Sequence, residues 1–293
     1  MIRPARLIAA TAAALTATAV LAACAPADDA ASTASGSGSA GAADCSPQSL
    51  STLADGKLTF GTDQPVYEPW FVDDKPESGQ GFESAVAYAV AKQLGYAQSD
   101  VTWTRVTFNA AIAPGPKTFD ADINEFSITD ERKQAVDFSS PYYDVTQAVV
   151  ALEGSKAAGV TDLAGLADLK LGAQVGTTSY TAITDVVKPS QQASVYNTND
   201  DAKAALTNGQ IDALVVDLPT AFYITSAELE NAKIVGQLPN GSGTPEQFGM
   251  VLDKGSALTS CVSQAVDALR SDGTLDSLVQ QWLSQAGSAP ELS

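Results

Sequence analysis

Segments with strand character alternate with amphipathic helical segments from Leu58 onward. Apolar residues recur every four positions from Phe82 to Leu94, which predicts a helix ended by Gly95. Residues 101–106 alternate in polarity and are rich in β-branched side chains, which predicts a strand. Alternating strands and helices are typical of an α/β fold with largely parallel sheets. In such folds, ligands bind beyond the carboxyl ends of the strands.

The alternation falls into two units, and we expect a lobe from each. An extended apolar stretch at residues 141–152 leaves the first unit, and residues 248–252 return to it. The predicted lobes are residues 45–149 with 248–293, and residues 150–247. Further strands are predicted at residues 57–62, 120–126, 170–175, 195–197 and 211–216, and further helices at residues 108–112, 201–206, 258–269 and 275–283.

The first 24 residues have the character of a targeting segment. Arg3 and Arg6 precede a short apolar run, and residues 21–24 (Leu-Ala-Ala-Cys) resemble the bacterial lipobox. We therefore expect a signal peptide over residues 1–23 and a lipid on Cys24 that anchors the chain to the extracellular face of the cytoplasmic membrane. Residues 24–44 have the composition of a disordered tether. A short transmembrane helix is the alternative.

Charge and composition exclude several functions. The formal net charge is −18, and such an acidic surface repels phosphate backbones, so we expect no nucleic-acid partner. The chain has no histidine. The commonest general base and the commonest metal ligand are therefore missing, and we expect no catalytic residue, metal or cofactor.

Two cysteines, Cys45 and Cys261, remain after Cys24. An even number of cysteines in an oxidising compartment favours one disulfide. Two buried free thiols are the alternative.

Arg132 stands in an unusual local context. Thr129 is a good helix N-cap, and Asp130 and Glu131 suit the positive end of a helix dipole. Arg132 then falls in the first turn, where a cation is disfavoured unless a buried anion binds its guanidinium bidentately. A solvated arginine paired with Asp130 or Glu131 is equally compatible with this local pattern.

Longer motifs surround this arginine. Residues 119–132 (FDADINEFSITDER) are followed by 136–139 (VDFS) and 141–143 (PYY). The chain also contains Gly61-Thr62-Asp63, Tyr67-Glu68-Pro69-Trp70, Gly81-Phe82-Glu83, Gly176-Thr177-Thr178 and Asp272-Gly273-Thr274-Leu275. In this order and spacing, the motifs resemble the family 3 bacterial extracellular solute-binding proteins, which are the polar-amino-acid receptors of ABC importers.

The resemblance implies an α/β fold of the type II periplasmic-binding-protein-like kind, with two lobes joined by a two-strand hinge. It implies that Arg132 binds the α-carboxylate of an amino acid, with help from Ser127, Thr177 and Thr178. Asp217 matches the family's acid for the α-ammonium group. Because a proline follows two residues later, a helix cap is the alternative role for Asp217.

The ligand side chain would meet other residues. Asp63 matches a position where receptors for basic amino acids hold a cation, although amide-binding relatives also carry Asp there. Tyr67 and Phe108 match two rings that sandwich the side chain, and Phe108 also suits the core. Glu125 shares a strand face with Ser127 by alternation, which favours a cationic ligand. The remaining predicted contacts are Trp70, Phe126 and Asn124, the last only if the strand has ended before it.

We therefore predict a receptor that closes two lobes around a free amino acid and delivers it to an ABC permease. The preferred ligands are arginine, lysine and ornithine. The alternatives are glutamine or another polar amino acid, a sensor that presents its ligand to a membrane receptor, and a secreted enzyme resembling cyclohexadienyl dehydratase. We expect a monomer that is not an enzyme.

Overall fold

The structure, a computed structural model, describes residues 44–240, 245–283 and 289–293. The predicted signal peptide (residues 1–23), the lipidation at Cys24 and the tether up to residue 43 lie outside these residues. None of the described helices is long and apolar enough to cross a membrane.

Strands and helices alternate along the described residues, which confirms the α/β prediction. The strands are β1 (Leu58–Thr62), β2 (Val101–Arg105), β3 (Ala121–Asp122), β4 (Asp137–Phe138), β5 (Tyr143–Val145), β6 (Gln147–Leu152), β7 (Leu171–Gln174), β8 (Ser194–Tyr196), β9 (Ala213–Asp217), β10 (Ala232–Gln237), β11 (Glu246–Phe248) and β12 (Val251–Leu252). The α-helices are α1 (Phe82–Gln93), α2 (Phe108–Ile112), α3 (Thr178–Ala182), α4 (Asn199–Thr207), α5 (Leu218–Tyr223), α6 (Thr259–Ser271) and α7 (Thr274–Trp282).

The strands form two five-stranded sheets. The first has the order β2-β1-β3-β12-β4, with β1 parallel to β2 and β3, and with β12 antiparallel to β3 and β4. The second has the order β10-β6-β9-β7-β8, with β7 parallel to β8 and β9 and with β6 antiparallel to β9 and β10. The carboxyl ends of parallel strands lie at the same edge of a sheet. The loops that follow the parallel strands of each sheet therefore lie together at the edge where a ligand is expected.

Two crossover strands join the sheets. β5 pairs with β11 in a separate antiparallel ladder that runs from Tyr143 opposite Phe248 to Val145 opposite Glu246. β5 leads into β6 of the second sheet, and β11 leads back towards β12 of the first. The returning crossover therefore begins at Glu246, before the predicted Phe248.

Each sheet has its own core. In the first, Trp70 and Phe82 are fully buried and pack edge to face, with helices α1, α6 and α7 in contact with one another beside them. The second sheet is buried on both faces. In β6, Val149 and Ala151 belong to one apolar cluster, and Ala148 and Val150 belong to the other. This division follows the two-residue period of a strand.

The strand predicted at residues 120–126 is wrong for most of its length, because only Ala121–Asp122 is β-structure. Glu125 adopts a left-handed conformation with φ of 53°. Its backbone N–H donates to Glu83 Oε1 at 2.6 Å. The strand has ended before these residues, so the alternation used to orient Glu125 and Asn124 does not apply.

The C-terminal residues also differ from expectation. Gln237 N–H donates to the Pro290 carbonyl, and Leu292 N–H donates to the Gln237 carbonyl. Leu292 is buried in a cluster of the second sheet, although residues 248–293 were expected in the first lobe. Similarly, Gln147 and Ala148 pair within the second sheet rather than the first.

A disulfide joins Cys45 to Cys261 across 216 residues, as predicted. Cys261 lies on α6, where it is buried in the core of the first sheet, and Cys45 packs against that core. The bond therefore fastens the start of the described chain to a C-terminal helix.

We expect the double variant Cys45→Ser/Cys261→Ser to lose stability, because opening so long a loop increases the entropy of the unfolded chain. The expected loss is at most about 5 kcal/mol of unfolding free energy. Urea denaturation monitored by circular dichroism measures it. A reducing agent should shift the wild-type midpoint towards that of the variant and leave the variant unchanged. Equal midpoints for wild type and variant, both with and without the reducing agent, would contradict this prediction.

Candidate functional site

A cleft of about 540 Å³, including its open mouth, lies between the two sheets. It is lined where parallel strands end: Asp63 follows β1, Asn124 follows β3, Thr177 follows β7 and Asp217 ends β9. The complete lining is Asp63, Pro65, Tyr67, Phe108, Asn124, Glu125, Arg132, Gln174, Thr177, Thr178, Ser179, Asn199, Val216, Asp217 and Thr220.

Arg132 lines this cleft and is buried, with 9% of its surface exposed. Thr129 Oγ1 accepts a hydrogen bond from Arg132 N at 3.1 Å, although the N-cap residue of the helical turn is Glu131 rather than the expected Thr129. The helix that follows is only a 3-10 turn, Arg132–Gln134. Burial rules out the solvated alternative, and Asp130 pairs with Lys133 instead.

The guanidinium of Arg132 contacts both halves of the protein. Nη1 donates to the Ser127 carbonyl at 2.7 Å, and Nη2 donates to the Gly176 carbonyl at 2.9 Å. Its Cζ lies 5.4 Å from the centre of the Phe108 ring. Within residues 44–240, 245–283 and 289–293 it forms no ion pair. A guanidinium has five N–H donors, so this arrangement leaves donors for an anion.

The turn before α3 faces Arg132. Gly176 has φ of 77° and packs so closely on Asn109 that an added Cβ would lie 2.3 Å from its Oδ1. Thr177 is the N-cap of α3, with Oγ1 accepting from Tyr180 N at 3.3 Å. Thr178 Oγ1 lies 3.1 Å from Ser127 Oγ, which joins this turn to the first lobe. The predicted hydroxyl groups therefore come together beside the guanidinium.

Acidic side chains line the same cleft. Asp217 Oδ1 accepts from Gln147 Nε2 at 2.6 Å. Asp217 is also the N-cap residue of α5, with a proline in the first turn as the alternative expected, but its side chain makes no capping hydrogen bond to that helix. Burial raises the pKa of Asp217 well above its usual range, and the Glu246 carboxylate raises it further.

Glu125 lies beside Asp217, within hydrogen-bond reach of it. Its Oε2 accepts from Thr220 Oγ1 at 3.0 Å, and Thr220 in turn accepts from Trp70 Nε1 at 2.7 Å. Burial raises the pKa of Glu125 well above its usual range, and the charges of Asp217 and Glu83 add to the effect. Two neighbouring buried carboxyl groups need a proton or a cation between them.

Glu83 supports this cluster from α1 and is fully buried. Its Oε1 accepts from the backbone N–H of Glu125 and from the hydroxyl of Tyr142. Burial raises the pKa of Glu83 to about 7, although both of these hydrogen bonds act in the opposite direction.

The residues predicted to contact the ligand side chain, Asp63, Tyr67 and Phe108, also line the cleft. Asp63 Oδ2 accepts from Phe108 N at 3.0 Å, so this carboxylate also holds the start of α2. The Phe108 ring stacks on Phe126 with centres 4.8 Å apart. Lys203 Nζ lies 5.3 Å from the centre of the Tyr67 ring, and burial raises the Tyr67 pKa.

Three predicted ligand contacts lie behind the cleft rather than in its lining. Trp70 and Phe126 are fully buried, and Ser127 is 1% exposed with its hydroxyl turned to Thr178. The prediction missed several polar residues that do line or support the cleft. Thr220 could have been found from its position three residues after the predicted Asp217. No sequence pattern indicated the other missed residues, which are Gln147, Gln174, Ser179 and Asn199.

With this geometry described, comparison with known proteins defines the class. Residues 58–285 match the model of the bacterial extracellular solute-binding proteins, family 3, and the chain belongs to that family. Its two sheets, the cleft between them and the two crossover strands form the type II, two-lobe fold of periplasmic binding proteins.

The chain is similar to several proteins whose names state the amino acid that they bind. The L-arginine-binding protein of Pseudomonas aeruginosa is 29% identical over 240 residues, covering 77% of this chain and 90% of its own. The glutamine-binding protein GlnH of Bacillus subtilis is 29% identical, covering 72% and 76%. An ancestral arginine-binding protein bound to glutamine is 30% identical with a TM-score of 0.66, covering 78% and 98%.

We expect Glu83 to make stability depend on pH. Its pKa is higher in the folded chain than in the unfolded chain, so the stabilisation is complete at low pH and decreases as pH rises from about 5 to about 7. The expected loss is at most about 3 kcal/mol. Chemical denaturation at pH 5 and pH 8 should show a smaller decrease for Glu83→Gln than for wild type. Parallel decreases in the two proteins would contradict the assignment.

Proposed function

We propose that this protein is a receptor that closes around one free amino acid and delivers it to an ABC importer, and that its ligand is arginine, lysine or ornithine. One observation carries the proposal: a single cleft is lined by the buried guanidinium of Arg132 and by the carboxyl groups of Asp217 and Glu125. These groups complement the two charges of an amino-acid zwitterion.

The α-carboxylate would bind at Arg132. The guanidinium already donates hydrogen bonds to the Ser127 and Gly176 carbonyls, which fix its plane. Its remaining donors and the Thr178 hydroxyl would complete the carboxylate's hydrogen bonds. Because Arg132 and Thr178 belong to different lobes, a carboxylate held by both would favour the closed state.

The α-ammonium group would bind at Asp217 and Glu125. Both carboxyl groups are buried without a cation of the protein, since none of the ion pairs among the described residues includes them. An ammonium group has three donors and would replace the proton that these acids otherwise need.

The side chain would extend towards Asp63 between the Tyr67 and Phe108 rings. The lining carries three carboxyl groups, Asp63, Glu125 and Asp217, against the one guanidinium of Arg132. A zwitterion brings no net charge, whereas a basic amino acid brings one positive charge and suits the excess of acid. Relatives named for arginine support this choice.

Glutamine is the second candidate. Three carboxamides, Asn124, Gln174 and Asn199, line the same cleft and could pair with an amide side chain. The relative named for glutamine and the ancestral protein bound to glutamine support it.

The family places such a receptor outside the cell. We propose that Cys24 carries a lipid and that the chain works as a monomer beside its permease. A metabolically incorporated fatty acid that is lost in Cys24→Ala would test the anchor.

The ligand assignment predicts the outcome of a thermal-shift screen. The mature domain, screened against the common amino acids, ornithine and citrulline, should be stabilised most by arginine, lysine or ornithine. Ligand at 100 times its dissociation constant adds about 2.7 kcal/mol of stability. If glutamine alone stabilises the domain, the proposal of a basic ligand is wrong and glutamine takes its place. If no amino acid stabilises the domain, the proposal of amino-acid binding is contradicted.

Arg132→Ala should abolish the shift, while Arg270→Ala is the matched control. Arg270 lies on α6 and also donates to a carbonyl, that of Pro141, but lies outside the cleft lining. If Arg132→Ala retains its folded circular dichroism spectrum and its full ligand affinity, the carboxylate assignment is wrong.

A further inference from the structure

Gln147 occupies the junction between the crossover and the second sheet. It begins β6, one residue beyond the end of crossover strand β5, and it is only 5% exposed. In the antiparallel pairing of β6 with β9, Gln147 lies opposite Asp217, the acid at the end of the cleft. Side chains opposite one another in such a pair lie on the same face of the sheet and are close enough to interact.

The side-chain amide of Gln147 connects three elements. Nε2 donates to Asp217 Oδ1 at 2.6 Å and to Glu246 Oε2 at 3.0 Å, and Glu246 begins the other crossover strand, β11. Oε1 accepts from Ser179 Oγ at 2.6 Å. Ser179 lies in α3, next to Thr178 in the cleft lining.

These partners need a carboxamide. The site requires two donors for two carboxylates and one acceptor for a hydroxyl, which the glutamine side chain supplies together. A glutamate would offer no donor at neutral pH, and a lysine would offer no acceptor. Glutamine therefore suits this position better than other side chains of its length.

Removal of the amide would change the cleft. Asp217 and Glu246 are acids whose charges oppose one another, and hydrogen bonds from Gln147 and Glu125 favour the ionised form of Asp217. Without Gln147, Asp217 would lose a donor that orients its carboxylate. We propose that Gln147 is a positioning residue, which aims the Asp217 carboxylate at the α-ammonium group of the ligand and ties it to both crossover strands. This inference rests on the proposed function.

The first test uses two ligands that differ only at the α-amino group, L-arginine and 5-guanidinopentanoate. Calorimetric titration of Gln147→Met should show a roughly tenfold or greater loss of affinity for arginine and a change within about twofold for the analogue. Ser179→Ala, which removes one of the amide's partners, should show a smaller loss with the same selectivity. A general structural defect would weaken both ligands equally and would overturn the proposal.

Thr146→Val is the matched control for these variants. Thr146 precedes Gln147 and donates from Oγ1 to Gln237 Oε1 at 2.5 Å, away from the cleft lining. Its affinity for both ligands should equal that of wild type. Failure of wild type to bind arginine would contradict the proposed ligand, and the role of Gln147 is then decided by a measurement that needs no ligand.

That measurement is the pH dependence of stability. Loss of the Gln147 donor should raise the Asp217 pKa further, so Gln147→Met should cost more stability at pH 8 than at pH 5. The extra cost should vanish in the Asp217→Asn background. The other groups that act on Asp217 or feel its charge are unchanged between these variants: Glu83, Glu125, Arg132, Tyr142, Tyr143 and Glu246. Persistence of the extra cost in that background would show that Gln147 acts through Glu246, and would overturn the proposal.

Discussion

The burial of the Arg132 guanidinium between the two lobes is the interaction on which the rest of the site depends. Removing a full charge from water is costly, and two backbone carbonyls compensate for it only in part. One of these carbonyls, that of Ser127, belongs to the first lobe, and the other, that of Gly176, belongs to the second. An anion that reached the remaining donors would complete the compensation, and it would do so best when the lobes are together.

The acids of the cleft present the opposite requirement. Glu83, Glu125 and Asp217 lie close to one another, and each has a raised pKa because burial disfavours ionisation, with neighbouring charges adding to the effect for Glu125 and Asp217. Hydrogen bonds from Thr220 and Gln147 orient two of these carboxyl groups without neutralising them. A ligand that brings an ammonium group satisfies these acids while its carboxylate satisfies Arg132, so one molecule meets both requirements.

Local patterns were sufficient for much of the fold. The four-residue period of α1 follows from the amphipathic surface that this helix buries, and Gly95 after it adopts a positive φ. The local pattern at Arg132 left a bound anion and a solvated ion pair equally open, and the family resemblance favoured the anion. The supporting hydrogen bonds could not be predicted in the same way. Gln147 and Asp217 are 70 positions apart, and Trp70 and Thr220 are 150 apart, so no local periodicity links them. Glu125 was oriented by strand alternation, but its positive φ removes it from any strand.

The central claim is that one cleft holds both charged groups of an amino acid, with Arg132 on the carboxylate. Calorimetric titration of the unmodified mature domain with L-arginine and with agmatine, which lacks the α-carboxylate, tests it most directly. We expect arginine to bind roughly 30-fold or more tightly than agmatine, because agmatine would leave the buried guanidinium without its anion. Equal affinities for the two compounds would contradict the account.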